Sequence, residues 1–520
     1  MLRATQTNLL AGLDRQLAER EKSLRQSLRV KEDYKVSLLA RAYKKEELEA
    51  LDGELTRLES EYQQITETIR QHYPAYEQIS RPTAPDLRQI QEHVIVDDET
   101  LLLEYSLGEE KSYVWAVTRN DISSAELPAQ KFINEPAQKV YELLAVPPSE
   151  ETEKKLTEAA RELSQMILSP VAAQLNKQRI IVVADGVLNY IPFQSLPMPA
   201  ANSEQMVAAH EVINAPSASV LEQLRQESAQ RQPSEIVLAA FGDPVFASNY
   251  AQRKDPNVNA ETVVAQNQVS QHALRDMEIK GDAFDRSSIQ PLFYAKRELA
   301  NLRDVAGSAT LIATGFDASR ESLESANLTK YAILHFATHG ILDPKHPENS
   351  GLFLSMVDRD GKARNGFLSL QDIYGLHAPV ELVVLSACRT ALGKEVRGEG
   401  LIGLTRGFMY AGASSVVASL WKVDDEATAE LMKRFYANML QHAMTPATAL
   451  RAAQNSIRQE PQWRSPYYWA AFTLQGDYRR LIKSPAQVQS RYARMGLGGA
   501  FLMLLAVTFW YRHHRRTRIA

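Results

Sequence analysis

The spacing of hydrophobic positions changes along the chain, and each change predicts a different kind of element. Leu48, Leu51, Leu55, Leu58, Tyr62, Ile65 and Ile69 recur at alternating steps of three and four, with Glu, Lys and Arg between them. That period puts every apolar side chain on one stripe of a helix, the seam of a coiled coil or of a helical hairpin. A less regular stripe, Leu10, Leu13, Leu17, Leu24 and Leu28, precedes it, and the polar stretch from Lys31 to Lys35 accommodates either a turn or a continuous helix. The pattern is as compatible with binding a partner as with self-packing. No proline occurs before Pro74, and Pro82 and Pro85 then break the periodicity, so a helical coiled-coil arm is expected over residues 1–75.

From Val94 the pattern shortens to runs of about six residues, Thr100 to Tyr105 and Ser112 to Val117, rich in β-branched and aromatic side chains and therefore read as strands. Residues 133–178 return to helical character. Ile180 to Val183, Ile236 to Phe241, Thr310 to Ala313, Ala332 to Ala337, Leu382 to Leu385 and Ser415 to Leu420 are continuous apolar runs of the kind a parallel strand shows when both its faces are covered. Helical patterns fall between most of them, including Ala295 to Val305, Glu321 to Ser325 and Gly403 to Tyr410. The order strand, helix, strand predicts an α/β fold, a mostly parallel sheet sandwiched by helices. Between Ala247 and Ser288 the composition is polar and aperiodic, as expected of a disordered insertion or a processing loop.

Near the end, Met495 to Tyr511 is an uncharged run containing Phe501, Leu502, Leu504, Leu505, Val507 and Phe509, at the short limit for crossing a bilayer. Trp510 and Tyr511 sit where an interfacial aromatic belt would be, and Arg512, Arg515, Arg516 and Arg518 form a basic tail. A single C-terminal transmembrane helix over 495–511 is expected. The N-terminal residues lack the apolar core of a secretory signal, so residues 1–494, the catalytic region included, are expected on the cytoplasmic side.

Composition narrows the function. The 520 residues suggest about three folded units. With 59 Lys and Arg against 63 Asp and Glu, the formal charge of −4 carries no electrostatic footprint for nucleic acid, and no nucleic-acid partner is expected. Cys388 is the only cysteine, which rules out an internal disulfide and any multi-cysteine metal site. His346 and His377 have no second ligand at metal-binding spacing, so no metal is expected. Gly398, Gly400 and Gly403 match a dinucleotide-binding fingerprint in form only, because ten residues separate Ala387 at the strand end from the first glycine.

In open parallel sheets, reactive groups gather at the carboxyl ends of strands. The run Ala332 to Ala337 ends in Thr338, His339 and Gly340; the run Leu382 to Ser386 ends in Ala387, Cys388 and Arg389. An imidazole and the chain's one thiol thus fall in strand-end loops, about 50 residues apart in sequence. A thiol needs a base to become a thiolate near neutral pH and an acid to protonate a leaving amine, and histidine serves both. Cysteine–histidine covalent catalysis is the chemistry these residues suggest. Alternation along its strand turns His335 away from the strand end, as a packed or hydrogen-bonded core histidine.

Several ordered motifs together resemble the CHAT domain family, the caspase-like and separase-like cysteine peptidase domain often coupled to TPR repeats. They are His335 to Gly340, Val384 to Thr390, Gly398 to Gly403, Ala411 to Trp421, and Asp425 with Thr428. Upstream, Val183 to Gly186, Ile191 to Phe193 and Gly242 to Pro244 look like the family's first half, and Tyr468 to Phe472 with Gly476 looks like its end. The resemblance implies a caspase-like three-layer α/β/α sandwich in two halves. It further implies His339 as general acid and base, Cys388 as nucleophile, and the backbone amides of Gly340 and Cys388 as the oxyanion hole. Related peptidases that prefer basic residues carry an aspartate two positions before the cysteine, where this chain has Ser386. Ser386, Asp424 and Asp425 are candidates for the substrate pocket, and the two aspartates also read as a charged turn capping the next helix.

The expected organisation is an arm (1–75), a first half without a thiol resembling a pseudo-protease (76–230), a caspase-like second half (231–477), a linker (478–494), the transmembrane helix (495–511) and the basic tail (512–520). The expected function is a membrane-anchored cysteine endopeptidase acting on protein substrates, without a cofactor and regulated by a protein partner on the helical arm. The alternative is a non-catalytic scaffold or signalling adaptor at the membrane.

Overall fold

The structure is a computed structural model. It describes scattered positions from 20 to 34, then residues 45–72, 85–199, 204–246, 292, 294–307, 310–341, 350–386, 393–396 and 400–482, except 233, 363 and 423. Cys388, the whole 247–288 stretch, and the expected transmembrane helix at 495–511 lie outside the described residues. Among the described residues no helix is long and apolar enough to cross a membrane.

The arm is an antiparallel helical hairpin. The described positions between 20 and 34 are helical and face the helix Lys45–His72. Arg20 bonds Glu61, Lys31 bonds Glu54 and Tyr34 bonds Glu47, so one sequence position rises as its partner falls. Leu51 and Leu55 are buried in the seam, with Leu28 and Leu48 against them.

The body is mixed α/β. Its strands in chain order are β1 (Thr100–Ser106), β2 (Ser112–Val117), β3 (Ile122–Leu127), β4 (Arg179–Val183), β5 (Glu211–Asn214), β6 (Ile236–Pro244), β7 (Thr310–Gly315), β8 (Tyr331–Ala337), β9 (Gly340–Ile341), β10 (Gly351–Phe353), β11 (Phe367–Ser369), β12 (Leu382–Leu385), β13 (Gly393–Val396), β14 (Gly400–Gly403), β15 (Ser415–Ser419) and β16 (Phe472–Gly476). Eleven of them form one sheet in the order β3-β2-β1-β4-β5-β16-β15-β12-β8-β6-β7. Pairing is antiparallel at β3-β2, β2-β1 and β16-β15, and parallel everywhere else.

The reversal at β16-β15 has a functional consequence. β6, β7, β8, β12 and β15 all point one way, opposite to β1, β4, β5 and β16, so five neighbouring strands of the second half bring their carboxyl ends to one edge of the sheet; β2 is the one first-half strand in the sheet that also runs that way, and it stands apart from them.

Helices cover both faces there. β8 is buried at every residue, and successive side chains on a strand point to opposite faces. His335 meets Tyr436 on the helix Asp425–Leu440, and Phe336 packs its ring 5.4 Å from Phe408 on the helix Leu404–Tyr410. Beyond the sheet edge, β9, β10 and β11 form a small antiparallel sheet whose Ile341, Phe353 and Phe367 make a separate apolar cluster with Phe246.

The two halves share one core. Tyr141 donates to the Leu420 carbonyl at 3.2 Å and stacks edge-on to Trp421. Gln194 donates to the carbonyls of Ala470 and Phe472. Arg225 donates to Asp477 Oδ1 at 3.4 Å.

Candidate active site at the strand ends

Three neighbouring parallel strands, β6, β8 and β12, end side by side. Gly242 on β6 is level with Ala337 on β8, and Phe336 is level with Leu385 on β12. The approach at Gly242 is close, since a Cβ there would lie 2.8 Å from the Ala337 carbonyl oxygen. Past Gly242 the pairing of β6 with β7 shifts register around Asp243, which is buried and holds a left-handed φ of 52°, a conformation uncommon outside glycine that clusters at functional sites. The Ser386 amide donates to the Phe336 carbonyl at 2.8 Å and extends the pairing one residue beyond β12.

His339 follows β8 by two residues and is half-buried, with the Phe246 ring 5.7 Å from its own. Its carbonyl accepts from the Phe353 amide at 2.9 Å, and Ile341 faces Gly351 in the β9-β10 ladder. Gly340 lies between these positions. By the alternation of antiparallel pairing its amide points away from β10, to the open side of the edge strand.

Asp424 and Asp425 stand where β15 leads into the helix Asp425–Leu440. The Asp424 carboxylate caps that helix, accepting from the Ala427 amide at 2.9 Å. Asp425 is half-buried. Its carboxyl is pushed above the usual 3.8 chiefly by burial, then by the Asp424 carboxylate and more weakly by Glu298, while His339 and Lys422 pull it back down. Asp425 therefore lies within electrostatic reach of His339. A raised carboxyl pKa means that the stability of the protonated form is fully present below about pH 3.8 and is lost as pH rises through the raised folded-state value. Asp425→Asn is accordingly expected to raise the melting temperature at pH 7 and leave it unchanged near pH 3, as thermal unfolding at the two pH values would measure.

Ser386 is buried, and its hydroxyl donates to Glu298 Oε2 at 3.0 Å. Glu298, on the helix Ala295–Ala306, is 4% exposed. Its other oxygen lies 3.2 Å from His335 Nε2, an ion-pair separation outside hydrogen-bond geometry. His335 is fully buried, and its Nδ1 is 3.0 Å from Tyr436 Oη. Burial, and next the charge of Glu298, hold the Tyr436 phenol well above its usual 10, so it remains a hydrogen-bond donor across the physiological range. Assigned from this network, Nδ1 accepts and Nε2 carries its proton toward the carboxylate.

The structure thus brings His339, Gly340, Ser386 and Asp425 to one edge of the sheet, assigns Asp424 to a helix cap, and leaves Cys388 outside the described residues. Glu298 and Asp243 were not singled out as site residues by sequence reasoning. Glu298 carried a readable signal, because it lies on the buried stripe of its helix, Ala295, Leu299, Leu302 and Ala306, where a charged residue is out of place. Among the described residues no group of three or more His, Cys, Asp or Glu side chains could hold a metal ion.

Comparison with known proteins gives two kinds of likeness. Tetratricopeptide repeat protein 28 is 25% identical over 365 residues in Homo sapiens and over 370 in Mus musculus. The match takes in 63% of this chain but only 13% and 14% of those proteins, so the chain spans about a seventh of the relatives it matches. Among solved structures, separase in the Saccharomyces cerevisiae separase–securin complex is similar at 9% identity and a TM-score of 0.46, covering 74% of this chain and 30% of that one. Gingipain R, the Arg-specific cysteine proteinase of Porphyromonas gingivalis, is similar at 9% identity and a TM-score of 0.33, covering 68% and 75%. The CHAT domain profile matches residues 157–477, more than half of the sequence and all of the candidate site. The chain belongs to the CHAT domain family.

Proposed function

We propose that this chain is a cysteine endopeptidase acting on protein substrates, with Cys388 as nucleophile and His339 as general acid and base. The observation that carries the proposal is the in-register pairing of β8 with β12, which sets their carboxyl ends side by side. His339 lies two residues past one end and Cys388 three past the other. Cys388 follows Ser386, the residue that extends this pairing, by two positions in the sequence.

In the proposed reaction the Cys388 thiolate attacks the scissile carbonyl carbon, and the developing oxyanion accepts from the Gly340 and Cys388 amides. His339, protonated when the thiol ionises, gives its proton to the departing amine as the C–N bond breaks. The acyl-enzyme thioester is then hydrolysed by a water molecule whose proton His339 takes, and the thiol is regenerated. The negative charge of Asp425 favours the imidazolium that this cycle needs. The outward amide of Gly340 and the family membership support the same reading. The chemistry calls on no cofactor. Ser386 and Asp425 border the space a substrate would occupy. Regulation by a protein bound to the helical arm, and tethering at a membrane through 495–511, belong to the proposal and rest on the sequence.

The test is to incubate the chain with a mixture of denatured proteins and to identify new N-termini by mass spectrometry. Cleavage products are expected, and iodoacetamide, which has only Cys388 to alkylate, is expected to abolish them. Cleavage that survives full alkylation would contradict the proposal.

A further inference from the structure

Behind the strand ends a chain of polar groups runs into the core. Tyr436 contacts His335, His335 contacts Glu298, and Glu298 accepts from Ser386. His335 and Tyr436 are fully buried, and Glu298 and Ser386 nearly so. The proposed reaction uses none of these side chains for bond making or breaking. A carboxylate in such a place costs several kcal/mol of desolvation unless it is well paired, and an apolar side chain of similar size would serve packing as well or better. The chain has an order. It starts on the helix Asp425–Leu440, crosses to β8, then to the helix Ala295–Ala306, and ends on the one residue that joins β12 to the segment bearing Cys388.

We propose that Glu298 is a positioning residue: its carboxylate holds the Ser386 hydroxyl and so fixes the point from which the chain runs to the nucleophile. The proposal rests on the dyad reading and deepens it. The Ser386 backbone is already tied to β8 through the Phe336 carbonyl, a bond that lies in the plane of the sheet. The side-chain bond to Glu298 adds a second anchor from the helix layer, and two anchors in different directions define an orientation. Glu298 in turn lies 3.2 Å from His335 Nε2, and His335 is held by Tyr436. Of the other charged groups on the elements around Glu298, Asp425 on the Asp425–Leu440 helix couples to both Glu298 and His339, the Arg297–Glu426 pair links the two helices at the surface, and Lys433 and Arg434 are paired with Glu430 further along the helix. No cation on these elements competes with Ser386 at 3.0 Å among the described contacts of the Glu298 carboxylate.

The experiment follows the rate of Cys388 alkylation by iodoacetamide against pH in the full chain. Because this is the only thiol, the readout needs neither a known substrate nor turnover. Ser386→Ala removes a single hydroxyl and Glu298→Ala the carboxylate; Ser386→Thr restores the hydroxyl. Ser386→Ala is expected to slow alkylation at pH 7 about fivefold and to move the midpoint of the profile up toward the ordinary thiol value of about 8.5. Glu298→Ala should do the same, the double variant should be no worse than either single one, and Ser386→Thr should stay within about twofold of the native rate. His339→Ala, run beside them, separates the two ideas. If it shifts the midpoint while folded Ser386→Ala and Glu298→Ala do not, positioning by Glu298 is overturned and the dyad stands. If none of the three shifts it, both fall. Should Glu298→Ala fail to fold, Ser386→Ala alone decides.

Discussion

His339→Ala is expected to lower peptide cleavage near neutral pH by at least about 10³-fold, and Cys388→Ala to reduce it to the uncatalysed background. General acid–base help from a placed imidazole is worth about 10² to 10⁴, and here one group serves twice. Without it the thiol reverts toward an ordinary value of about 8.5, a few per cent thiolate at pH 7, and the departing amine has no proton source. Groups that act as a unit are not additive, so the double variant should be no slower than Cys388→Ala. The fold should survive, because His339 is half-buried and lies past the end of β8 rather than within the sheet; melting should move by no more than about 1 kcal/mol equivalent. Cleavage by His339→Ala within threefold of native would remove the imidazole from the mechanism.

Trp421→Ala is expected to cost about 3 to 5 kcal/mol of stability, the range for truncating a large buried aromatic side chain. Trp421 is 1% exposed, its Nε1 donates to the Tyr467 carbonyl at 3.1 Å, and its ring meets Tyr141 of the first half edge-on at 6.5 Å. The substitution therefore opens a cavity, removes the hydrogen bond to the part-buried Tyr467 carbonyl and weakens the seam between the halves in one step. Because both halves share one sheet and one core, denaturant unfolding followed by tryptophan fluorescence and by circular dichroism should give a single coincident transition in the native chain and in the variant. A loss below about 1 kcal/mol, or separate transitions of the native halves, would contradict this account of the seam.

Much of the fold was legible because its central strands are buried on both faces. Runs such as Ala332 to Ala337 and Leu382 to Leu385 read as parallel strands without help from periodicity, and the structure places them at β8 and β12. β3 was not legible, since this edge strand buries only Leu127. Nor was β5, whose four residues, Glu211–Asn214, include only two apolar ones, side by side. The reversal of β16 against β15 depends on pairing between residues about 55 positions apart, which no local pattern encodes. Its effect is to turn the parallel strands β1, β4 and β5 of the first half away from the edge where β6, β8 and β12 end. In the arm the heptads marked a seam but not a direction, and it took pairs such as Lys31 with Glu54 to make it antiparallel.

At the site, His339 was readable as a polar residue closing an apolar run, and His335 as an inward core residue by alternation. Glu298 was passed over because a glutamate on a charged helix ordinarily faces solvent, and only its place on the Leu299 and Leu302 stripe marks it. Asp424 and Asp425 were indistinguishable in sequence. Helix geometry separates them, one as the cap and the other within reach of His339.

The most direct test of the dyad is the pH dependence of Cys388 alkylation in the native chain and in His339→Ala. The account predicts a native thiol that reacts well below its ordinary titration range, with a midpoint that moves up toward about 8.5 when the imidazole is removed. A native midpoint already near about 8.5 and unchanged in His339→Ala would contradict it.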